Sequence, residues 1–207
     1  SLINRISGKT GYYVNGHLSP IEIHHGRLGH IGEHNRYPDV LIKNRIHTSI
    51  GGITTCIPCR EDRFIIQVMQ RIYGHMSLRL ADVVYSIREI RADRLDWDYV
   101  VDTARKVGLF SGLCYYVNYV NQIHSKVSET DILPLEIKTL LVKDGAPKIS
   151  FGGSHYHFPV LSVGARVYLK KLFTEIRMLN IESVGRLCLL PLLAVYTGFR
   201  CILQRSR

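Results

Sequence analysis

Two hydrophobic periods divide the chain. Up to Pro58 the apolar positions are sparse and come in short alternations: Thr10–Val14 and Ile21–His24 are β-prone, with the turn-rich Asn15–Pro20 between them. In the second run Ile21 and Ile23 face one way and Glu22 and His24 the other, a strand that can bury one face and present the second. From Gly26 to Pro58 the Gly, Asn, Pro and Thr content predicts loop with short strands at Asp39–Ile42 and around Ile53–Ile57.

After Pro58 the spacing lengthens to three and four. Ile65, Val68, Ile72, Met76, Leu80, Val83 and Ile87 trace one face of an amphipathic helix, which Gly74 is placed to divide in two. Glu61 and Asp62 sit in its first turn, at the positive end of the helix dipole. A further helix is entered at Asp96 or Asp98 and closed near Gly108, with Trp97 covering the core, and another is expected from Phe110 to His124. Residues 125–163, with Pro134, Pro147, Pro159 and the His155–Phe158 alternation, predict a linker with a β-hairpin. Helices return over Gly164–Leu179 and Ile181–Gln204. The apolar run 187–203, interrupted by Pro191 and Arg200, is shorter than the roughly 20 residues that span a bilayer and reads as a buried helix. Its basic end leaves contact with a membrane surface as the competing expectation. The pattern as a whole predicts an α+β chain in three parts: strands and loops over 1–58, helices over 59–125, and a linker with closing helices over 126–207.

Composition narrows the chemistry. A length of 207 residues with 46% hydrophobic and 21% charged residues suits a globular core without disulfide staples. The formal net charge of +10 suits a polyanionic partner, such as RNA, a nucleotide or an anionic lipid surface. The 5 cysteines are odd in number and scattered, and no secretory leader accompanies them, which points to a reduced, cytoplasmic setting. Only Cys56 and Cys59 have ligand-like spacing, and zinc would need a second pair of ligands in reach. The chain begins at Ser1 and its first methionine is Met69, as expected of a processed chain or a piece of a longer one.

Taken in order, Ile21–Leu28, the Cys59–Ile87 segment and the Leu95–Leu113 segment resemble the downstream half of an uncharacterised nucleotidyltransferase family related to the AbiEii- and MenA-type enzymes. Those proteins combine a polymerase-β-like fold with a helical C-terminal region. The resemblance spans roughly residues 12–125 and lies in the order of several weak motifs. It implies a partial nucleotidyltransferase sheet followed by a mainly helical region. Such an enzyme moves a nucleotidyl group from a nucleoside triphosphate to a hydroxyl on RNA, protein or a small molecule, using magnesium held by carboxylates.

Glu22 matches the family's third metal-site carboxylate, which makes it both a catalytic and a metal-ligand candidate. The two carboxylates that follow a Gly-Ser turn in the family have no counterpart here: Phe151–Val160 has glycines but no carboxylate and follows the helices. The chain alone is therefore expected to be inactive, with magnesium entering only if an upstream segment supplies the missing ligands. His24 is a candidate neighbour of Glu22 or, when protonated, a phosphate binder; the bland alternative for both is a polar strand end. His25, His30 and His34 read as loop residues.

His75, Arg79 and Asp82 are spaced by four and three, so an uninterrupted helix places them on one face. Arg79 and His75 then become substrate-binding candidates and Asp82 a catalytic one, although an Arg–Asp pair that only ties the helix together accounts for the spacing equally well. Tyr115, Tyr116 and Tyr119 either stack a base or pack inside. A non-catalytic, basic RNA- or protein-binding module of the same fold remains the alternative to the enzyme.

Overall fold

The computed structural model describes residues 8–13, 15–16, 21–92, 94–142, 149–152 and 155–192. The fold is α+β: small antiparallel sheets accompany a predominantly helical body. Two compact units are distinguished, one built from residues 1–39 and 172–207 and the other from 40–171.

In the first unit, β1 (Lys9–Tyr12) pairs antiparallel with β2 (Ile21–His24), Lys9 opposite His24 and Gly11 opposite Glu22. Ile21 and Ile23 do share a face, yet that face is not buried: they are 55% and 43% exposed. A two-stranded ribbon has no second layer of its own to cover either side. The loop that follows is organised by the buried carboxylate of Glu33, which accepts the backbone N–H groups of His30 at 3.1 Å and Ile31 at 2.9 Å. Gly29, at φ +97°, makes this possible, since a Cβ there would lie 2.4 Å from the Glu33 carboxyl carbon. Residues 181–192 form a helix whose Ser183 hydroxyl donates to the Glu33 carbonyl at 2.6 Å and whose Arg186 donates to the Ile31 carbonyl at 2.5 Å. Leu187 of that helix is buried, whereas Leu189 and Leu192 are exposed; the rest of the 187–203 run expected to form a buried helix lies outside the described residues. Val14, the end of the first expected strand, also lies outside them, as do residues 17–20 of the connecting turn.

The segment Asp39–Ile42 is helical, not extended. It belongs to α1 (Tyr37–Lys43), where Pro38 is pre-organised for the first turn and Asp39 and Lys43 occupy the ends that suit their charges. In the second unit, β3 (Ile46–Ile50) and β4 (Ile53–Ile57) form a hairpin around Gly51 and Gly52, both at positive φ. Then come α2 (Arg60–Val68), a π-helical stretch (Met69–His75), β5 (Ser77–Arg79) and α3 (Leu80–Arg91). The division expected at Gly74 falls just beyond it, and a strand follows where a second stretch of helix was expected to begin. The break comes at Met76, whose φ of 53° is left-handed, and the chain emerging from it pairs with β7 (His155–His157). β7 also pairs with β6 (Ser150–Gly152), giving the order β5-β7-β6.

The core forms where α2, α4 (Trp97–Lys106) and α5 (Phe110–Ser128) meet, through Phe64, Ile65, Val68, Val100, Ala104, Leu113 and Val120. Asp96 caps α4 by accepting the Tyr99 N–H at 3.0 Å. Gly112 admits Tyr73 to the face of α5, where the Gly112 N–H donates to the tyrosine hydroxyl at 3.2 Å. A short α6 (Leu135–Leu141) interrupts the expected linker; Pro134 precedes it and Leu141 is buried. The chain continues into α7 (Ala165–Arg177), reached through a second π-helical turn. Within α7 the buried Lys171 ammonium donates to the Val107 carbonyl at 2.7 Å, a cation at the C-terminal end of α4.

Candidate functional site

The β1–β2 hairpin places Glu22 and His24 two residues apart on one strand, hence on one face. His24 Nε2 lies 3.2 Å from Glu22 Oε2, and the other carboxylate oxygen lies 3.5 Å from Lys9 Nζ across the ladder. The second imidazole nitrogen, Nδ1, lies 3.3 Å from the Arg27 carbonyl. Both ring nitrogens therefore face acceptors, and the cationic ring is the form that donates to both. The hairpin holds its bend through the His25 N–H, which donates to the Gly8 carbonyl at 2.7 Å. The His25 ring contacts the Thr10 hydroxyl at 3.1 Å and stays apart from the Glu22 pair.

His75, Arg79 and Asp82 do not share a helical face. His75 closes the π-helical stretch, Arg79 ends β5, and Asp82 lies in the first turn of α3. The Asp82 Oδ2 atom accepts the Arg79 backbone N–H at 2.9 Å and lies 2.8 Å from Arg71 Nε. Its carboxylate thus caps α3 and neutralises a buried guanidinium, while the Arg79 side chain extends from an exposed position on the strand. Arg71 was not legible as the partner, because it lies about three helical turns upstream of Asp82 in sequence and only the left-handed break at Met76 and the short strand after it bring the two together. Glu22 and His24 belong to the first unit, and His75, Arg79 and Asp82 to the second.

No family model, curated protein or solved structure matches the chain.

The fit to magnesium is poor on the described residues. Glu22 offers a single carboxylate already faced by an ammonium and an imidazole, whereas Mg²⁺ takes octahedral oxygen ligands. Among the described residues, no group of three or more His, Cys, Asp or Glu side chains is placed to hold a metal ion. Among them, too, no helix is long and apolar enough to cross a membrane.

A second acidic centre lies at the start of α2. Asp62 is fully buried, and its carboxylate accepts from the Tyr99 hydroxyl at 3.0 Å and the Cys59 thiol at 3.2 Å, while Asn44 Nδ2 donates to the Tyr99 oxygen at 2.7 Å. Burial, reinforced by the neighbouring Asp62 carboxylate, pushes the Cys59 thiol up to about 11 and the Tyr99 phenol up to about 12. Both groups are held protonated, as donors. The network ties the beginning of α2 to α4 and leaves Cys59 poorly suited to nucleophilic or ligand chemistry.

The tyrosine face of α5 packs inward at two of its three members. Tyr116 meets Phe64 edge-on at 5.7 Å and its hydroxyl bonds Ser86 at 2.7 Å; Tyr119 stacks on Phe158 at 5.4 Å. Neither ring is accessible for base stacking.

Proposed function

We propose that this chain is the downstream part of a nucleotidyltransferase-like protein. The reading rests on the order of the motifs around Glu22, Arg79 and Trp97, and the observation that carries it furthest is the exposed Glu22–His24 carboxylate–imidazole pair at 3.2 Å. In the reaction, the hydroxyl oxygen of the acceptor forms a bond to the α-phosphorus of a nucleoside triphosphate, the bond to the β-phosphate bridging oxygen breaks, and pyrophosphate leaves. Glu22 takes up the hydroxyl proton, and His24 donates a hydrogen bond that holds that carboxylate. His75 and Arg79, which belong to the second unit, are taken separately as candidate phosphate contacts, with Asp82 a positioning residue through its bond to the Arg79 backbone. Magnesium belongs to this reading only together with carboxylates from outside the described residues; bound there, it would neutralise charge on the phosphates.

The test uses the full natural open reading frame with each radiolabelled nucleoside triphosphate and magnesium. Label transfer that is lost in Glu22→Gln supports the assignment. Transfer indifferent to that substitution, or none with any triphosphate, overturns it. A second reading, a non-catalytic RNA-binding module, is favoured by the +10 charge; steeply salt-dependent RNA binding with no triphosphate requirement would distinguish it.

A further inference from the structure

The β5-β7-β6 sheet sorts its side chains by register. Ser77 stands opposite His157 and Arg79 opposite His155; on the far edge Ser150 is paired with His157 and Gly152 with His155. Directly opposed residues of an antiparallel pair project to the same side, about 5 Å apart. One face therefore carries Arg79, His155, His157, Ser77 and Ser150, and the other Leu78, Tyr156 and Phe151. On the apolar side Leu78 is completely buried and Tyr156 meets Phe151 at 4.9 Å, while Phe151 itself stays exposed.

Arg79, His157, Ser150 and Gly152 are exposed, and the two imidazoles have centroids 6.2 Å apart. A Cβ at Gly152 would meet nothing nearer than His157 Cδ2 at 3.8 Å, which leaves room beside His155. The three strands contain no carboxylate. A guanidinium beside two imidazoles repels a cation but presents a fork of N–H donors and adaptable hydroxyls to a tetrahedral anion.

We infer that this face, centred on Arg79, His155 and His157, binds the phosphate groups of a nucleotide. The inference deepens the proposed function, and depends on it only for the nucleotide as the source of the phosphate. It adds two histidines, from a segment expected to be linker, to the phosphate contacts assigned to Arg79. The elements packed against β5 carry further charged and titratable groups, among them His75 and Arg71 on the π-helical stretch and Asp82 on α3, whose carboxylate is engaged by Arg71.

The whole chain is titrated with ATP in EDTA, and in parallel with a fluorescent RNA 12-mer, at pH 8 and pH 6. Arg79→Gln and the double variant His155→Asn/His157→Asn are each expected to weaken binding about tenfold, the effect of losing charge-assisted hydrogen bonds. Binding by the unaltered chain is expected to be tighter at pH 6 than at pH 8, since a protonated imidazole adds a charge and a second N–H donor toward phosphate. The double histidine variant loses that gain. Arg166→Gln/Arg177→Gln, on α7, is the charge control and retains affinity. Circular dichroism and thermal unfolding confirm that each variant is folded. Loss in the ATP arm supports a free nucleotide; the same variant pattern in the RNA arm alone supports phosphate groups of a strand. No binding in either arm, sheet variants that bind like the unaltered chain, or an equal loss in the α7 control overturns the inference. Label transfer without sheet-dependent binding removes this site and the phosphate assignment of Arg79 while sparing the Glu22 chemistry; sheet-dependent binding without transfer does the reverse.

Discussion

Arg71 Nε and Asp82 Oδ2 are 2.8 Å apart, with side chains only 9% and 14% exposed, and this pair joins the π-helical stretch to the first turn of α3. Removing one partner strands the other charge in the interior. Asp82→Asn is expected to cost about 3 kcal/mol, as measured by urea unfolding, because an uncompensated buried charge is more expensive than the pair is stabilising. Arg71→Met combined with Asp82→Asn should recover part of that loss. Additive effects of the two substitutions would show that the ion pair is not coupled and return Asp82 to its capping role alone.

Glu22 gives the opposite expectation. Its carboxylate is half exposed and its ionic partners, Lys9 and His24, are on the same ribbon. Exposed pairs of this kind contribute about 0–1 kcal/mol, so Glu22→Gln should leave the unfolding midpoint almost unchanged. A large loss of stability would mean that any accompanying loss of transfer reports folding and not chemistry.

These two carboxylates show what the sequence could and could not convey. The alternation Ile21–His24 identified a real strand and set Glu22 and His24 on one face, because period-two patterning is local. The three-and-four spacing from His75 to Asp82 misled, because the left-handed Met76 and the pairing of Ser77–Arg79 with His155–His157 are decided some 80 residues away in the chain. For the same reason Arg71 could not be matched to Asp82. Nor could the exposure of Ile21 and Ile23 be read from alternation, which reports two faces but not whether anything covers them. Local signals were dependable at Asp96, which caps α4, and at Phe110, where α5 begins.

The Asp62 network makes the protein sensitive to alkali. Cys59 is raised to about 11, by burial and then by the Asp62 carboxylate against the lowering effect of the Asp62 backbone N–H, and Tyr99 to about 12, by burial and then by its bond to Asp62. Between the ordinary and the raised values the unfolded chain holds fewer protons than the folded one, so folding stability falls as pH rises. The contribution is fully present below about pH 9 and is lost through pH 11 to 12. Urea midpoints should therefore decline over that window, and Tyr99→Phe should flatten the decline. At pH 8, iodoacetamide should label the exposed Cys56 well before Cys59, as read by peptide mass mapping. Faster labelling of Cys59 would contradict the hydrogen bond to Asp62.

Gly112 offers the sharpest steric test. This residue lies in the first turn of α5, and alanine is the better helix former, by up to about 1 kcal/mol in a helix interior. Here a Cβ would fall 2.3 Å from Tyr73 Cε2, and the hydroxyl of that side chain also accepts the Gly112 N–H. Tyr73 must swing away for alanine to fit, abandoning that hydrogen bond and the contact between the π-helical stretch and α5. Overpacking of this kind costs about 1–3 kcal/mol, so Gly112→Ala should destabilise despite its better helix propensity. Tyr73→Ala removes the obstacle, and in that background Gly112→Ala should become neutral or stabilising. If alanine stabilises the otherwise unaltered chain, Tyr73 does not occupy the notch that Gly112 provides.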